Sequence, residues 1–356
     1  MRDVKTEGIK YIGSKLKIIP YILQLIDELN VETVLDGFSG TTRVSQALSK
    51  SGYVVTCADA SAWSQVFGNC YLQAKRSKSF YNDFIDRLNL LDGKEGWFTR
   101  NYSHEASGQK APFQQKNLMK LDAVREKIEE FDLDFIDKSV LLTSLILGLD
   151  KVDNTLGHFS SYLAEWSPRS YNDLVLKVPD YEISKLNHTV LRGDIFDVVK
   201  GRRFDLAYFD PPYGSNNEKM PPSRVRYASY YHFWTSVVQF DNPVLFGKAH
   251  RREDSRDTIA GSVFEEFKKN DEGKYIATEA IRRLIEETDA RYIVFSYSNG
   301  GRATKEELCD IFNSHGRLVK ILEIDYKMNV MSTMRWTTEW LNGDKKNVEY
   351  LFVIEK

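Results

Sequence analysis

Phe209-Asp210-Pro211-Pro212-Tyr213 sets the tightest limit on how this chain can fold. The apolar run before it, Asp205-Leu206-Ala207-Tyr208-Phe209, reads as a buried strand. Two prolines then end the strand, remove two amide donors and restrict the residue before each of them. A carboxylate, a carbonyl and an aromatic face are thereby held stiffly at a strand's C-terminal end, where open α/β sheets bind ligands. That set suits a planar amine. Asp210 can accept one hydrogen of an exocyclic NH2, the Pro211 carbonyl can accept the other, and Tyr213 can stack on the ring. In isolation the same four residues also fit a surface turn in which Asp210 caps a helix.

The rest of the composition narrows the class. The chain has 356 residues, room for one large domain or two ordinary ones. A hydrophobic content of 42% supplies a core, and a net charge of −2 excludes a uniformly basic nucleic-acid binder. Any DNA contact must then come from a local patch. Cys57, Cys70 and Cys309 are scattered, with neither metal-ligand spacing nor a disulfide framework. No metal is expected, and a reducing cytoplasm is the expected location. The first residues lack the apolar core of a signal peptide. The apolar run at 140–149 is too short to span a bilayer and reads as a buried helix, so no membrane association is expected.

In chain order, Tyr11-Ile12-Gly13-Ser14-Lys15 precedes an amphipathic helix with Ile18, Ile19, Ile22, Leu25, Ile26 and Leu29 on one face. A short strand at Thr33-Val34-Leu35 ends in Asp36-Gly37-Phe38-Ser39-Gly40-Thr41-Thr42, and a helix carrying Val44, Ala47 and Leu48 comes next. Strand, glycine turn and helix N-terminus make a nucleotide-like site. The next strand, Tyr53 to Ala58, ends in Asp59, at the interval after the glycine turn where an acid accepts from ribose hydroxyls. Neither a Gly-x-Gly-x-x-Gly fingerprint nor a Gly-Lys-Ser/Thr loop is present, so the expected ligand has a ribose without a diphosphate.

Residues 60–185 read as a mainly helical insertion, longer than a βαβ crossover needs. Within it, 97–117 reads as an irregular surface segment. The sheet resumes at His188-Thr189-Val190-Leu191 and ends in Arg192-Gly193-Asp194-Ile195-Phe196, where Asp194 can accept from an adenine amino group or cap a helix. After the Asp-Pro-Pro-Tyr turn, residues 214–256 are loop-rich and locally basic. Arg224, Arg226, Lys248, Arg251 and Arg252 lie among Tyr227, Tyr230, Tyr231, Phe233 and Trp234. Basic groups beside aromatics suit a nucleic-acid backbone and an extruded base, and equally a solvated loop over a buried aromatic helix. A helix near 274–288, a strand at 292–297, a helix at 304–313 and strands at 318–325 and 348–354 complete a doubly wound α/β pattern. Residues 342–347 read as the turn between the last two strands.

Taken together, these motifs resemble the alpha-group N6-adenine DNA methyltransferases of restriction–modification systems. Tyr11 to Lys15 resembles that family's N-terminal cofactor motif. Asp36 to Thr41 resembles its methionine-proximal loop, Asp59 its ribose acceptor, Gly193 to Phe196 its adenine-side motif, and Asp210 to Tyr213 its catalytic motif. Phe295-Ser296-Tyr297-Ser298-Asn299 is similar to a later strand of the fold. The resemblance implies a Rossmann-like mixed sheet of the class I methyltransferase type, formed by 1–59 and 186–356. It implies the helical insertion as a candidate DNA-recognition subdomain and 214–270 as a DNA-contacting segment.

It also implies S-adenosyl-L-methionine as cofactor, bound by Tyr11, Gly13, Ser14, Lys15, Asp36, Gly37, Phe38, Ser39, Gly40, Thr41, Asp59, Asp194, Ile195 and Asp210. Double-stranded DNA is the implied partner, alongside a cognate restriction endonuclease. The adenine must leave the duplex to be reached. Asp210, Pro211, Pro212 and Tyr213 would then hold it for a direct displacement that needs neither metal nor covalent intermediate. Cytosine-N4 methylation uses the same amine geometry and stays open, as does a catalytically silent DNA-binding subunit.

Overall fold

The computed structural model describes residues 4–104, 111–213, 226–326 and 347–356. Arg224 and all but the last residue of the turn expected at 342–347 lie outside the described residues, and Asn347 already opens the last strand.

Short apolar runs become strands wherever the sequence alternates them with turn residues. They are β1 (Thr33–Asp36), β2 (Val54–Asp59), β3 (Thr189–Arg192), β4 (Arg203–Phe209), β5 (Leu245–Phe246), β6 (Arg251–Arg252), β7 (Asp289–Ser298), β8 (Arg317–Tyr326) and β9 (Asn347–Glu355). Seven of them form one sheet in the order β3-β2-β1-β4-β7-β9-β8. β2–β3, β1–β4 and β4–β7 pair in parallel, while β9 runs antiparallel to both β7 and β8. This is the mixed, doubly wound sheet that the strand–helix alternation predicts.

The chain divides into two compact units. The first comprises Met1–Gln24, Ser39–Asp194 and Arg226–Gly261. Its centre is the helix Phe135–Val152, buried almost all round between Ser139 and Leu149 and capped by Asp134, whose side chain accepts from the Asp137 amide. That is the buried helix expected at 140–149, and no helix among the described residues is long and apolar enough to cross a membrane.

The stretch 97–117 departs from the irregular surface segment expected of it. Trp97–Tyr102 is helical, and Phe98, Tyr102 and Phe113 are buried. The cause is Asp122 on the helix Gln115–Glu130. Its buried carboxylate accepts from the amides of Gly96, Phe98 and Thr99 and from the Thr99 hydroxyl, satisfying the orphan donors of the short helix. Arg125 lies further along the same helix, 2% exposed, and donates to the carbonyls of Val237 and Val238. A cation thereby meets the last turn of the helix His232–Gln239.

The second unit comprises Leu25–Phe38, Ile195–Val225 and Ser262–Lys356. It holds β1, β4, β7, β9 and β8, with Leu206, Phe209, Ile293, Phe295 and Phe352 fully buried. Asp205 fastens β4 to β1: its carboxylate accepts from the amides of Glu32 and Thr33, and its own amide donates to the Thr33 hydroxyl. Those two amides hold the Asp205 carboxyl below its ordinary range. A capping box between Thr304 and Glu307 opens the helix Lys305–His315.

Candidate functional site

The described site residues fall into two groups, one in each unit, and the boundary between the units lies inside the glycine turn, between Phe38 and Ser39.

In the second unit, β1 and β4 are neighbours in register, Val34 beside Leu206 and Asp36 beside Tyr208. Their two C-terminal turns are therefore adjacent. The Gly37 amide donates to the Tyr208 carbonyl at 3.0 Å. A Cβ on Gly37 would stand 2.6 Å from the Phe209 ring and 2.9 Å from Ile195, so only glycine lets the turn approach β4 this closely. Asp36 is buried, and Phe38 is half-buried with its ring edge-on to Phe209 at 6.1 Å and to Phe264 at 5.3 Å. Phe264 in turn stacks on Phe196 at 5.8 Å. Beyond β4, Pro211 is buried, while Asp210, Pro212 and Tyr213 are half-buried. The Tyr213 ring leans on Tyr297 of β7, 5.2 Å away at 55°.

In the first unit, the second half of the glycine turn folds onto the end of β2. Asp59 Oδ2 accepts from the Gly40 amide at 2.9 Å and Oδ1 from the Ser61 amide at 2.8 Å. The Ser39 amide donates to the Ala58 carbonyl, and the Gly193 amide donates to the Asp59 carbonyl. Burial lifts the Asp59 carboxyl above its ordinary range, and the Ser61 and Gly40 donors oppose that rise by favouring the charged form. Each oxygen keeps acceptor capacity beyond its one amide. Gly40 sits at φ +47° and Gly13 at φ +89°, both in the left-handed region that favours glycine. A Cβ on Gly40 would stand 3.2 Å from the Tyr11 hydroxyl, and one on Gly13 would stand 2.7 Å from that of Tyr227. Ser39 and Thr41 are buried, Asp194 is exposed, and Lys15 is 7% exposed.

The N-terminal segment is fixed by groups that sequence reasoning did not assign to it. Tyr11 stacks on Tyr231 at 4.7 Å and lies 5.6 Å from Tyr227 and 5.8 Å from Trp63. The Ile12 amide donates to the Tyr231 hydroxyl at 2.8 Å. Tyr227 and Tyr231 thus pack on the Tyr11–Lys15 motif, and their i, i+4 spacing was the signal in the sequence. Lys10 is clasped as well: its amide reaches both Asp150 oxygens at 3.2 Å, and its ammonium contacts Asp153 at 2.5 Å. Arg169 closes on the same Asp153 oxygen at 3.0 Å. Burial raises the Asp150 carboxyl to about 6 against the attraction of Lys10.

The basic stretch separates into unlike parts. β5 and β6 form a hairpin whose tip is pinned from below, Tyr102 donating to the His250 carbonyl and Tyr162 to that of Ala249. Lys248 is exposed at that tip, and Arg251 is half-buried over the Phe246 ring at 4.6 Å. Arg226 is half-buried, with its Nε lacking an acceptor among the described residues. Arg252 is different. It is 2% exposed and paired with Asp241 at 2.6 Å and Asp254 at 2.7 Å. Burial would lower its guanidinium, and the two carboxylates more than reverse that. Its donors are engaged inside the protein, so it drops out of the set of expected phosphate contacts.

The chain has relatives along nearly all of its length. It is 26% identical to the Type II methyltransferase M.NlaIII of Neisseria lactamica over 97% of this chain and 99% of that protein. It is 28% identical to the modification methylase StsI of Streptococcus sanguinis and 25% identical to the Type II methyltransferase M.FokI of Planomicrobium okeanokoites, over 98% of this chain in each case. It spans about half the length of those last two, 52% of each. The model of one family, the D12 class N6 adenine-specific DNA methyltransferases, matches residues 11–234, from the tyrosine that opens the N-terminal motif, across the glycine turn, the insertion and the Asp-Pro-Pro-Tyr turn, to the helix that packs on that tyrosine. This chain belongs to that family.

Proposed function

We propose that this chain transfers the methyl group of S-adenosylmethionine to N6 of an adenine extruded from a specific double-stranded DNA sequence, protecting that sequence from a cognate restriction endonuclease. The observation that carries the reading is the placement of Asp210 and Tyr213 directly after β4, with the glycine turn after β1 locked alongside by the Gly37–Tyr208 hydrogen bond.

The residues present fit the proposed cofactor. Gly40 and Gly13 let the backbone pass close against the Tyr11 and Tyr227 hydroxyls, and Asp59 is held by two amides with acceptor capacity to spare for ribose hydroxyls. Tyr11, Ser14, Lys15, Ser39, Thr41, Asp194 and Ile195 would line the remainder, with Asp36, Gly37 and Phe38 on the strand side. When bound, S-adenosylmethionine supplies an electrophilic methyl group on sulfur.

The chain's own work is positioning. The Asp210 carboxylate accepts one hydrogen of the adenine amine and the Pro211 carbonyl the other, which fixes the nitrogen's orientation. Pro212 stiffens the turn. Tyr213, propped by Tyr297, offers a stacking face for the extruded base. Holding reactants in line converts binding energy into rate, without a nucleophile from the protein. Lys248, Arg251 and Arg226 would meet phosphates, with Arg224 as a further candidate from its sequence position. The helical stretch 60–185 would share in reading the sequence.

The test is tritiated methyl incorporation into duplex DNA, followed by nucleoside analysis. Unaltered protein should yield N6-methyladenine. Asp210→Ala should abolish transfer while retaining cofactor binding at least in part. Tyr213→Phe should keep appreciable activity, and Tyr213→Ala should lose about 1–3 kcal/mol of base stacking, roughly 5- to 150-fold in affinity for the flipped state. Full activity in Asp210→Ala overturns the mechanism, and N4-methylcytosine in the product overturns the base assignment.

A further inference from the structure

Arg302 lies just past β7, in the turn Asn299-Gly300-Gly301-Arg302, and the sheet order explains why that place matters. β7 pairs with β4 on the side away from β1. The cofactor turn comes after β1, and the Asp-Pro-Pro-Tyr turn after β4. The turn after β7 therefore borders the target side of the catalytic turn. The contacts agree: Tyr213 leans on Tyr297 of β7, and the Tyr297 hydroxyl accepts from the Ala303 amide at 3.1 Å, holding the 299–303 turn against the same ring. Gly301 is pressed flat on Tyr297, where a Cβ would stand 2.4 Å from the ring.

Arg302 is a buried cation in an unusual position. Only 8% of its surface is exposed. Its Nε meets no hydrogen-bond acceptor among the described residues. Its guanidinium lies over the Tyr275 ring at 5.1 Å, and the Lys269 ammonium lies over that ring too, at 4.7 Å. Two cations thus share one aromatic ring. The neighbouring carboxylate, Glu307, is occupied by the Thr304 amide at 2.8 Å as part of its helix cap. Arg252 is neutralised by two carboxylates, whereas Arg302 makes no such ion pair among the described residues. Burying a guanidinium without an anion is costly, and a planar fork of donors matches phosphate oxygens two at a time.

We propose that Arg302, supported by Lys269, is a phosphodiester-binding site for the DNA strand that carries the extruded adenine, gripping the backbone next to the base that Tyr213 stacks. The proposal rests on the reading of Asp210 and Tyr213 as the target-base site. A cofactor carboxylate would be the competing anion, and the strand order disfavours it, because β4 stands between β7 and the turn after β1.

The experiment uses a duplex containing the sequence found by mapping methylated bases in DNA of a host expressing the chain. Single phosphodiesters around the target adenine are replaced one at a time by neutral methylphosphonates, and affinity for the unaltered protein is measured. One position within two nucleotides of the adenine should cost at least fivefold. In Arg302→Gln the same replacement should cost less than twofold, because the phosphate is no longer gripped. The slope of log affinity against log salt should fall by about 0.9 in Arg302→Gln and be kept in Arg302→Lys. Cofactor affinity should be unchanged in both.

Absence of any sensitive phosphodiester in the unaltered protein overturns the proposal without reference to a variant's folding. So does an unchanged salt slope with weakened cofactor binding in Arg302→Gln. Methyl transfer by the unaltered protein on the same duplex is followed in parallel. Failure of transfer faults the target-base reading, whereas normal transfer with no sensitive phosphodiester faults Arg302 alone.

Discussion

Gly40 shows how much one residue can carry. Its φ of +47° strains any side chain, and its amide is one of the two donors that orient Asp59. Gly40→Val should therefore weaken S-adenosylmethionine binding at least tenfold, by displacing Tyr11 and loosening Asp59 together. Calorimetry checks this, and wild-type affinity in a folded Gly40→Val protein would contradict it. The sequence pointed to this residue because spacing alone ties a glycine turn to an acid about 20 residues later. It could not show that Asp59 reaches back to the Gly40 amide, since that depends on how the end of β2 meets the turn. Nor could it place Tyr231 on the N-terminal motif, because Ile12 and the tyrosine that it bonds are 219 positions apart.

At the scale of elements, the basic stretch is where tertiary context overrode composition. Counting charges between 214 and 256 gave a net positive loop, yet Asp241 and Asp254 in that same count neutralise Arg252. The β5–β6 hairpin sorts the survivors. Lys248→Ala and Arg251→Ala together should flatten the salt dependence of DNA affinity, by up to about 0.9 for each phosphate no longer neutralised. Arg252→Ala should leave that slope alone and lower the melting temperature instead, because it removes a buried side chain and both of its ion pairs, leaving a cavity. Anisotropy titrations across a salt series, with thermal melts of the same three variants, separate the two outcomes. The helix at Trp97–Tyr102 escaped sequence reading for a related reason. Its N-terminal donors are satisfied by Asp122, which arrives from another helix. The strands and the amphipathic helices were legible because their period is written locally.

The whole molecule responds to pH through buried groups of the first unit. Burial keeps His158, His188 and His232 below their ordinary range, His232 down to about 3. In the unfolded chain these imidazoles bind protons near pH ~6.5. Below about pH 7 the unfolded state therefore holds more protons, and stability falls by about 1.4 kcal/mol per pH unit for each such proton. Asp150 acts in the opposite sense. With its carboxyl raised to about 6, the folded chain takes up a proton that the unfolded chain does not accept until far lower pH. The melting temperature should drop as the pH falls through about 7 to 5, less steeply than the three imidazoles alone would make it, because Asp150 offsets about one of their protons. Calorimetric scans across that range test it, and a midpoint that rises on acidification through the same range would refute this balance.

The pairing of β1 with β4 also sets a timetable for synthesis. Thr33 and Asp205, which fasten the two strands, are separated by 172 positions. At the ribosome's pace of roughly 5–20 residues per second, β1 emerges ~10–30 s before its neighbour exists. For that interval Val34 and Leu35, both fully buried once folding is complete, stand exposed on the nascent chain. The helical stretch made meanwhile has its own local contacts and can condense first. The β1 side of the proposed cofactor site is thus written early and among the last assembled, and a chain interrupted before Asp205 would carry the first half of the glycine turn without the Tyr208 carbonyl that its Gly37 amide meets.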